Sequence, residues 1–211
     1  MSRARLFFLL IAVLFVVLPR AEAAELDGLV SSLKNGGYVI VFRHGATDDS
    51  QKDVFPFKFD DMSAQRQLNE KGRNTAREIG AALKKLGVPI GDVYTSRLHR
   101  AVETGKLIGG KEVSPTDALT DSSSGSASGM ANPDGKNAKA GRAVRELVDA
   151  APKAGLNNLA ITHKTNVTDA FGKDFADIRE SEALIYKTSV SGPAVFVMRV
   201  QAGQWVTLAG S

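Results

Sequence analysis

Cationic side chains follow three separate apolar segments of this chain, each at the point where the segment ends. They are, in chain order, Arg43 and His44, Arg97 and Arg100, and His163 and Lys164. An arginine fork pairs with two phosphate oxygens at once and stays charged. A neutral imidazole held among such cations is a competent nucleophile towards phosphorus. Together these residues predict chemistry on a phosphoryl group.

His44 is the candidate nucleophile. It follows residues 38–42, whose β-branched and aromatic side chains predict a buried strand. It precedes Gly45, where the missing side chain lets the backbone approach a ligand. Ligands of open α/β sheets bind at the carboxyl ends of the strands. We therefore expect Arg43 to lie beside the nucleophile at this edge.

Three further residues complete the candidate pocket. His163 is expected to donate to the equatorial oxygens of the phosphoryl group, and Lys164 adds a point charge next to it. Thr47 either donates a hydrogen bond near the pocket or caps a turn. Two histidines and scattered acids do not have the spacing of a zinc site, so no metal ligands are expected.

Apolar periodicity indicates how the chain positions these residues. Strands and helices alternate, which predicts an α/β fold: a three-layer sandwich with a mainly parallel central sheet and helices on both faces. The expected helices cover residues 26–33, 65–86, 97–108 with Ser96 as N-cap, and 140–151. The expected strands cover residues 38–42, 92–95, 159–162, 184–186, 194–200 and 205–208, the last two as a hairpin around Gly203.

Two segments between these elements lack a clear period. Residues 46–64 are expected to form a loop near the site, with an apolar patch at Phe55, Phe57 and Phe59. That patch either packs on the core or forms a wall that contacts substrate. Residues 121–135 are rich in serine and glycine, which predicts a mobile flap.

The N-terminus has the pattern of an export signal. Basic residues precede the apolar run 6–18, and Ala21-Glu22-Ala23 follows, which predicts a signal peptide over 1–23 and a single domain over 24–211. The run is short for a membrane span, and an uncleaved anchor is the alternative. We expect export, to a bacterial periplasm, and no membrane span after signal cleavage.

Composition narrows the function further. Removing residues 1–23 takes away three arginines and one glutamate, so the formal charge falls from +4 to +2. A domain this mildly basic gives no reason to expect nucleic-acid binding. The chain has no cysteine, which excludes disulfides, thiolate nucleophiles and cysteine-based metal sites.

Four segments in order resemble the histidine phosphatase superfamily, which has the phosphoglycerate mutase-like fold. They are Arg43-His44-Gly45-x-Thr47, Gln67–Arg73, Tyr94–Thr104 and Thr162-His163. The resemblance covers nearly all of the chain after residue 23. It implies that His44 becomes phosphorylated and that Arg43, Arg100 and His163 form the phosphate pocket. It implies no cofactor.

The acid that protonates the leaving group departs from the family pattern. One large branch has a glutamate two residues after a leucine beyond the second strand, and Leu119-Thr120-Asp121 fits that spacing with an aspartate. Another branch has an aspartate directly after the second histidine, where this chain has Lys164. Asp121 is the first candidate for the acid, Glu182 is the second, and some relatives lack a dedicated acid.

The sequence therefore predicts an exported, metal-independent phosphatase that works through a phosphohistidine on His44. Its substrates would be phosphorylated small molecules, or phosphorylated envelope or protein substrates. The alternative is a non-catalytic periplasmic protein that binds a phosphate ligand on the same fold. A pure binder needs the arginines but no nucleophile, so His44 favours the enzyme.

Overall fold

The computed structural model describes residues 24–121 and 137–210. The predicted signal peptide and the predicted flap beyond Asp121 lie outside the described residues. Within the two described ranges, no helix is both long enough and apolar enough to cross a membrane.

A six-stranded sheet forms the middle layer. Its strands are β1 (Tyr38–Arg43), β2 (Ile90–Thr95), β3 (Ser114–Pro115), β4 (Asn157–Thr162), β5 (Ala183–Lys187) and β6 (Val195–Val200). The strands lie in the order β3-β2-β4-β1-β5-β6. Strands β1 to β4 are parallel to one another, whereas β5 is antiparallel to both of its neighbours, β1 and β6. The predicted α/β fold is confirmed. Its sheet is mixed because β5 begins beside the C-terminal end of β1, with Ala183 opposite Phe42, and runs back along it.

Helices cover both faces of this sheet, which confirms the three layers. One face carries α1 (24–33), α2 (Glu70–Lys85), α3 (His99–Gly109) and α6 (Ala202–Gly210), and the other carries α4 (Ala138–Asp149) and α5 (Lys164–Phe171). Side chains alternate along β1 to serve both cores. Ile40 and Phe42 point to the first core, and Val39 and Val41 point to the second.

The predicted strand at residues 205–208 is wrong, because these residues lie in α6. Trp205 is fully buried against the α2 face of the sheet, and Leu208 and Ala209 follow it at helical spacing. β6 pairs with β5 instead. The alternation that suggested a strand is too short to distinguish the two periods.

Helix α2 begins five residues later than predicted, at Glu70. The Asn69 side chain accepts a hydrogen bond from the Gly72 amide at 2.8 Å and caps the helix. Leu68, just before the cap, is extended and pairs with Thr47 in an isolated bridge. Because Leu68 is paired in this way, α2 does not extend further towards the N-terminus.

The first turn of α2 packs directly on the backbone that follows His44. A Cβ atom at Gly72 would lie 2.1 Å from the Ala46 carbonyl oxygen, and a Cβ at Gly45 would lie 3.0 Å from the Gly72 carbonyl oxygen. Two glycines therefore face each other where a side chain on either would push the layers apart.

We expect Gly72→Ala to lower the free energy of unfolding by about 3 kcal/mol, because the added methyl overpacks this contact. Gly28 in α1 has open space around it, so Gly28→Ala is the matched control and should stabilise the protein by about 0.5–1 kcal/mol through helix propensity. Urea unfolding measures both changes. Equal free energies for the two variants would show that the contact is not tight.

Candidate active site

The end of β1 holds Arg43 and His44 from both sides. The His44 amide donates to the Thr162 carbonyl at 3.0 Å, which continues the pairing with β4. On the other side, the Ser181 amide lies within hydrogen-bond distance of both the Arg43 and the His44 carbonyl oxygens, at 3.1 and 3.2 Å. The backbone of the predicted nucleophile is therefore fixed by its neighbours.

The His44 ring is buried, and its hydrogen bond assigns its tautomer. Nδ1 lies 2.8 Å from the Gly45 carbonyl oxygen. A carbonyl oxygen only accepts, so Nδ1 carries the hydrogen and Nε2 keeps its lone pair. A neutral imidazole with a free Nε2 is the form that can attack an electrophile.

The surroundings of His44 favour this neutral form. Burial lowers the pKa of His44 well below its ordinary value, and the neighbouring His163 and the positive charge of Arg100 lower it further. The Gly45 carbonyl opposes these effects but does not outweigh them. The His44 ring is therefore unprotonated at neutral pH.

His163 lies directly opposite, at the end of β4, with its ring centroid 5.0 Å from that of His44. Its Nε2 is 2.8 Å from the Ser96 hydroxyl. That hydroxyl oxygen also accepts from the Leu98 amide, and its own hydrogen can be donated to Nε2. In that tautomer Nδ1 carries the ring proton. Burial lowers the pKa of His163 well below its usual range, and Arg100, Arg66 and Arg43 lower it further.

Ser96 is consequently a site residue and not the predicted N-cap. Helix α3 begins at His99, with Leu98 as its cap residue and no side-chain cap hydrogen bond. The Ser96 side chain is instead turned to His163. A serine between a strand and a helix resembles a cap in sequence, and only its distance to a residue 67 positions away shows the second role.

Two of the predicted pocket arginines are anchored by their terminal nitrogens. Arg43 Nη1 donates to the Ile178 carbonyl at 2.9 Å, and its Nη2 lies 3.5 Å from Glu180. Arg100 is 1% exposed, and its Nη1 donates to Asp53 at 2.9 Å. These anchors fix the planes of both guanidinium groups.

Arg66 is a site residue that the sequence analysis missed. Burial lowers the pKa of Arg43, Arg100 and His163, and the positive charge of Arg66 lowers each of them further, so Arg66 lies near all three. The backbone amide of Arg66 donates to Asp53, the same carboxylate that holds Arg100. Its position directly before the motif segment 67–73 was the available signal.

Four nitrogen atoms of this cluster are buried and have no hydrogen-bond partner among the described residues. They are Nε of Arg43, Nε of Arg66, Nε of Arg100 and Nδ1 of His163. Leaving a buried donor unpaired costs about 1–3 kcal/mol. Buried donors in one cluster, three of them on charged guanidinium groups, fit the oxygens of a phosphoryl group. Such a cluster can hold an oxyanion beside His44.

Asp121 lies at the same pocket. Its Oδ2 is 3.6 Å from Arg100 Nη2, and its Oδ1 accepts from the Thr165 hydroxyl at 2.9 Å. Thr165 is in the first turn of α5, directly after His163, so the helix start positions the carboxylate. The structure thus places the first candidate for the acid within reach of the pocket.

Glu182, the second candidate for the acid, is engaged elsewhere. Its fully buried carboxylate pairs with Arg199 at 2.6 Å and accepts from the Arg179 amide at 2.7 Å. Removing either partner from a buried pair is costly, which indicates a structural role. Glu182 ties β6 to the turn before β5.

The remaining candidates lie at the margin. The Thr47 backbone pairs with Leu68 and accepts from the Asn69 side chain, which closes the loop between them. Lys164 is the half-buried first residue of α5. Arg97 is turned away from the pocket, because it pairs with Asp117 at 3.1 Å and stacks on the Phe59 ring. Within the described ranges, His, Asp and Glu residues form no group of three that could hold a metal ion.

A buried neutral imidazole beside a cluster of arginines is suited to chemistry on a phosphoryl group. The family model of the histidine phosphatase superfamily (branch 1) matches residues 39–168, more than half of the chain. This chain belongs to that superfamily, as its motifs predicted.

Curated and solved relatives agree with this assignment. The 2,3-bisphosphoglycerate-dependent phosphoglycerate mutase of Parvibaculum lavamentivorans is 31% identical over 104 residues, which cover 46% of this chain and 47% of the mutase. This match therefore spans about half the length of that curated relative.

Two solved structures share the fold. The protein histidine phosphatase SixA complexed with tungstate has a TM-score of 0.54 at 20% identity, covering 79% of this chain and 97% of SixA. Phosphoserine phosphatase from Entamoeba histolytica, solved with 3-phosphoglyceric acid, has a TM-score of 0.53 at 16% identity, covering 80% and 98%. At these identities the likeness supports the fold alone.

The buried histidines link stability to pH. In the unfolded chain histidine titrates near pH 6.5, and the folded pKa of His44 and of His163 is lower. The unfolded state therefore binds more protons as the pH falls through about 6.5, and the free energy of unfolding decreases by up to about 1.4 kcal/mol per pH unit per histidine. Above that pH the effect is absent.

Urea unfolding at pH 7.5 and pH 5.5 measures this dependence. We expect His163→Gln to lose less stability between the two pH values than the unsubstituted protein. His99→Gln, at a half-buried histidine of α3, is the control and should change the dependence less. An unchanged pH dependence in His163→Gln would contradict the assignment of a neutral buried ring.

Proposed function

We propose that this protein is a metal-independent phosphatase that hydrolyses phosphomonoesters through a phosphohistidine on His44 Nε2. The observation that carries the proposal is the free Nε2 of a neutral, buried His44 beside four buried nitrogens without partners among the described residues. Membership of the superfamily supports phosphatase or mutase chemistry, and the proposal selects hydrolysis.

The first step forms the phosphoenzyme. The lone pair of His44 Nε2 attacks phosphorus as the bond to the ester oxygen breaks, and the departing oxygen takes a proton from Asp121. Arg43, Arg66 and Arg100 offset the charge on the equatorial oxygens, and His163 Nδ1–H donates to one of them. Because burial keeps the His44 ring neutral, no proton has to leave it before the attack.

The second step releases phosphate. A water molecule attacks phosphorus, and the Asp121 carboxylate takes its proton. The N–P bond breaks, and its electron pair returns to Nε2. The Gly45 carbonyl holds the Nδ1 hydrogen throughout, so the imidazole is regenerated as the same tautomer.

Fewer observations support the proposed substrate class and location. The solved relatives named above include a phosphoserine phosphatase and a protein histidine phosphatase, which supports a phosphorylated small molecule or a phosphorylated protein as substrate. The signal-like pattern of residues 1–23 supports export to a periplasm. An envelope phosphate is then within reach of the enzyme.

We expect His44→Ala to lower kcat on 4-nitrophenyl phosphate by at least about a thousandfold, as loss of a covalent nucleophile does. The assay contains EDTA throughout, and His99→Ala is the matched histidine control, with turnover near that of the unsubstituted protein. Acid-labile, base-stable phosphate should attach to the unsubstituted protein and to His99→Ala but not to His44→Ala. Absence of turnover, with phosphate-ester binding that survives His44→Ala, would instead identify a binding protein.

The role of Asp121 is tested by leaving-group dependence. We expect Asp121→Asn to lower kcat/KM for ethyl phosphate by about 10²–10⁴-fold, because an alkoxide needs the proton. The same variant should lower kcat/KM for 4-nitrophenyl phosphate much less, since that phenolate departs unaided. Asp53→Asn, at the other carboxylate of Arg100, should affect both esters equally. An equal effect of Asp121→Asn on both esters would remove it as the acid.

A further inference from the structure

An exposed apolar surface lies on the loop that anchors the phosphate pocket. We call residues 53–64 the aromatic loop. Three of its apolar side chains face solvent: Val54 is 46% exposed, Phe55 is 55% exposed and Met62 is 47% exposed. Exposed large apolar side chains in one short segment indicate a contact surface.

The aromatic loop holds its shape through contacts within the chain. The Val54 amide donates to the Ala64 carbonyl at 2.9 Å, which closes the loop at its base. The buried side-chain amide of Gln65 donates through its nitrogen to the Lys58 and Phe59 carbonyls. Its side-chain oxygen accepts from the backbone amide of His99. The loop is therefore clipped to the start of α3, which itself carries Arg100.

The aromatic rings add to this order. Phe55 packs edge-on against Phe57 with centroids 5.6 Å apart, and Phe57 lies against Phe59 at 6.1 Å. Arg97 covers the Phe59 ring at 3.9 Å. The inner rings thus pack on one another and on the protein, and Phe55 is the ring left towards solvent. A preorganised surface loses little entropy when it binds.

The loop begins at the pocket itself. Asp53 Oδ1 accepts both from Arg100 Nη1 and from the Arg66 amide, each at 2.9 Å. Successive Cα atoms are 3.8 Å apart, so the Cα of Val54 lies within about 10 Å and the Cα of Phe55 within about 14 Å of the Arg100 guanidinium group. An organic substituent that extends from the pocket along this loop would reach the exposed apolar side chains.

We propose that the exposed side chains of the aromatic loop bind the organic part of the substrate, and that this part is apolar. The substrate class is then a soluble phosphomonoester of an apolar alcohol or phenol. This inference rests on the proposed function, since it names the substrate class of the same site. Phe57 and Phe59 pack on one another and against Arg97, and Phe55 is the ring presented to solvent. Of the two alternatives for the apolar patch, this inference takes substrate contact for Phe55.

The test compares two esters with equally poor leaving groups, ethyl phosphate and hexyl phosphate. Partial burial of four extra methylenes should raise kcat/KM for hexyl phosphate about tenfold over ethyl phosphate. The gain should appear in KM and not in kcat, because the contact is the same before and during the reaction. Phe55→Ala should lower the hexyl-to-ethyl ratio at least about threefold.

Two controls isolate the surface. Val195→Ala removes an apolar side chain that is 63% exposed at the far edge of the sheet on β6, and the ratio should stay unchanged. Inhibition by inorganic phosphate should be equal in Phe55→Ala and the unsubstituted protein, which shows that the pocket is intact. A ratio near one, or a ratio that Phe55→Ala leaves unchanged, would overturn the inference while leaving the phosphatase proposal in place.

If neither ester is turned over, that result counts against the proposed function alone. Calorimetric binding of the two esters then tests the inference directly. Hexyl phosphate should then bind more tightly than ethyl phosphate, and Phe55→Ala should remove most of the difference. Equal affinities for the two esters would overturn the apolar surface directly.

Discussion

Positive charge buried at the end of β1 is the constraint on which the rest of this structure depends. Arg100 is almost completely shielded from solvent, and Arg43 and Arg66 lie close enough to lower its neighbours' pKa values. Removing such charges from water is costly unless opposite charges compensate. Asp53 and Glu180 compensate in part. Burial together with the excess positive charge keeps both histidines neutral, and the excess makes a phosphoryl dianion a fitting counter-charge.

The surrounding fold meets this constraint with backbone contacts on every side of the nucleophile. The parallel pairing of β1 with β4 brings His44 and His163 to the same sheet edge. The first turn of α2 approaches so closely that Gly72 leaves no room for a side chain. The positively charged side chains of the pocket repel one another. The close packing of β4 and α2 around them holds them together.

Asp53 connects the proposed phosphate pocket to the aromatic loop. Its carboxylate holds Arg100 through Nη1, whereas the buried Arg100 Nε has no partner among the described residues. The same residue begins the aromatic loop, so one carboxylate anchors both the arginine proposed to bind phosphate and the loop proposed to contact the ester.

Local patterns in the sequence determined the strand that carries Arg43 and His44, the succession of strands and helices, and the ordered motifs of the superfamily, because these depend on residues close together along the chain. Tertiary structure alone decided the antiparallel direction of β5 and the helical state of residues 205–208. It also decided the contacts of Arg66, Asp53 and Ser96 with the pocket. These contacts join residues up to 67 positions apart, and no periodicity encodes which distant segments fold against each other. That is why the strand that ends at Arg43 and His44 was predictable, whereas the distant residues that surround it were not.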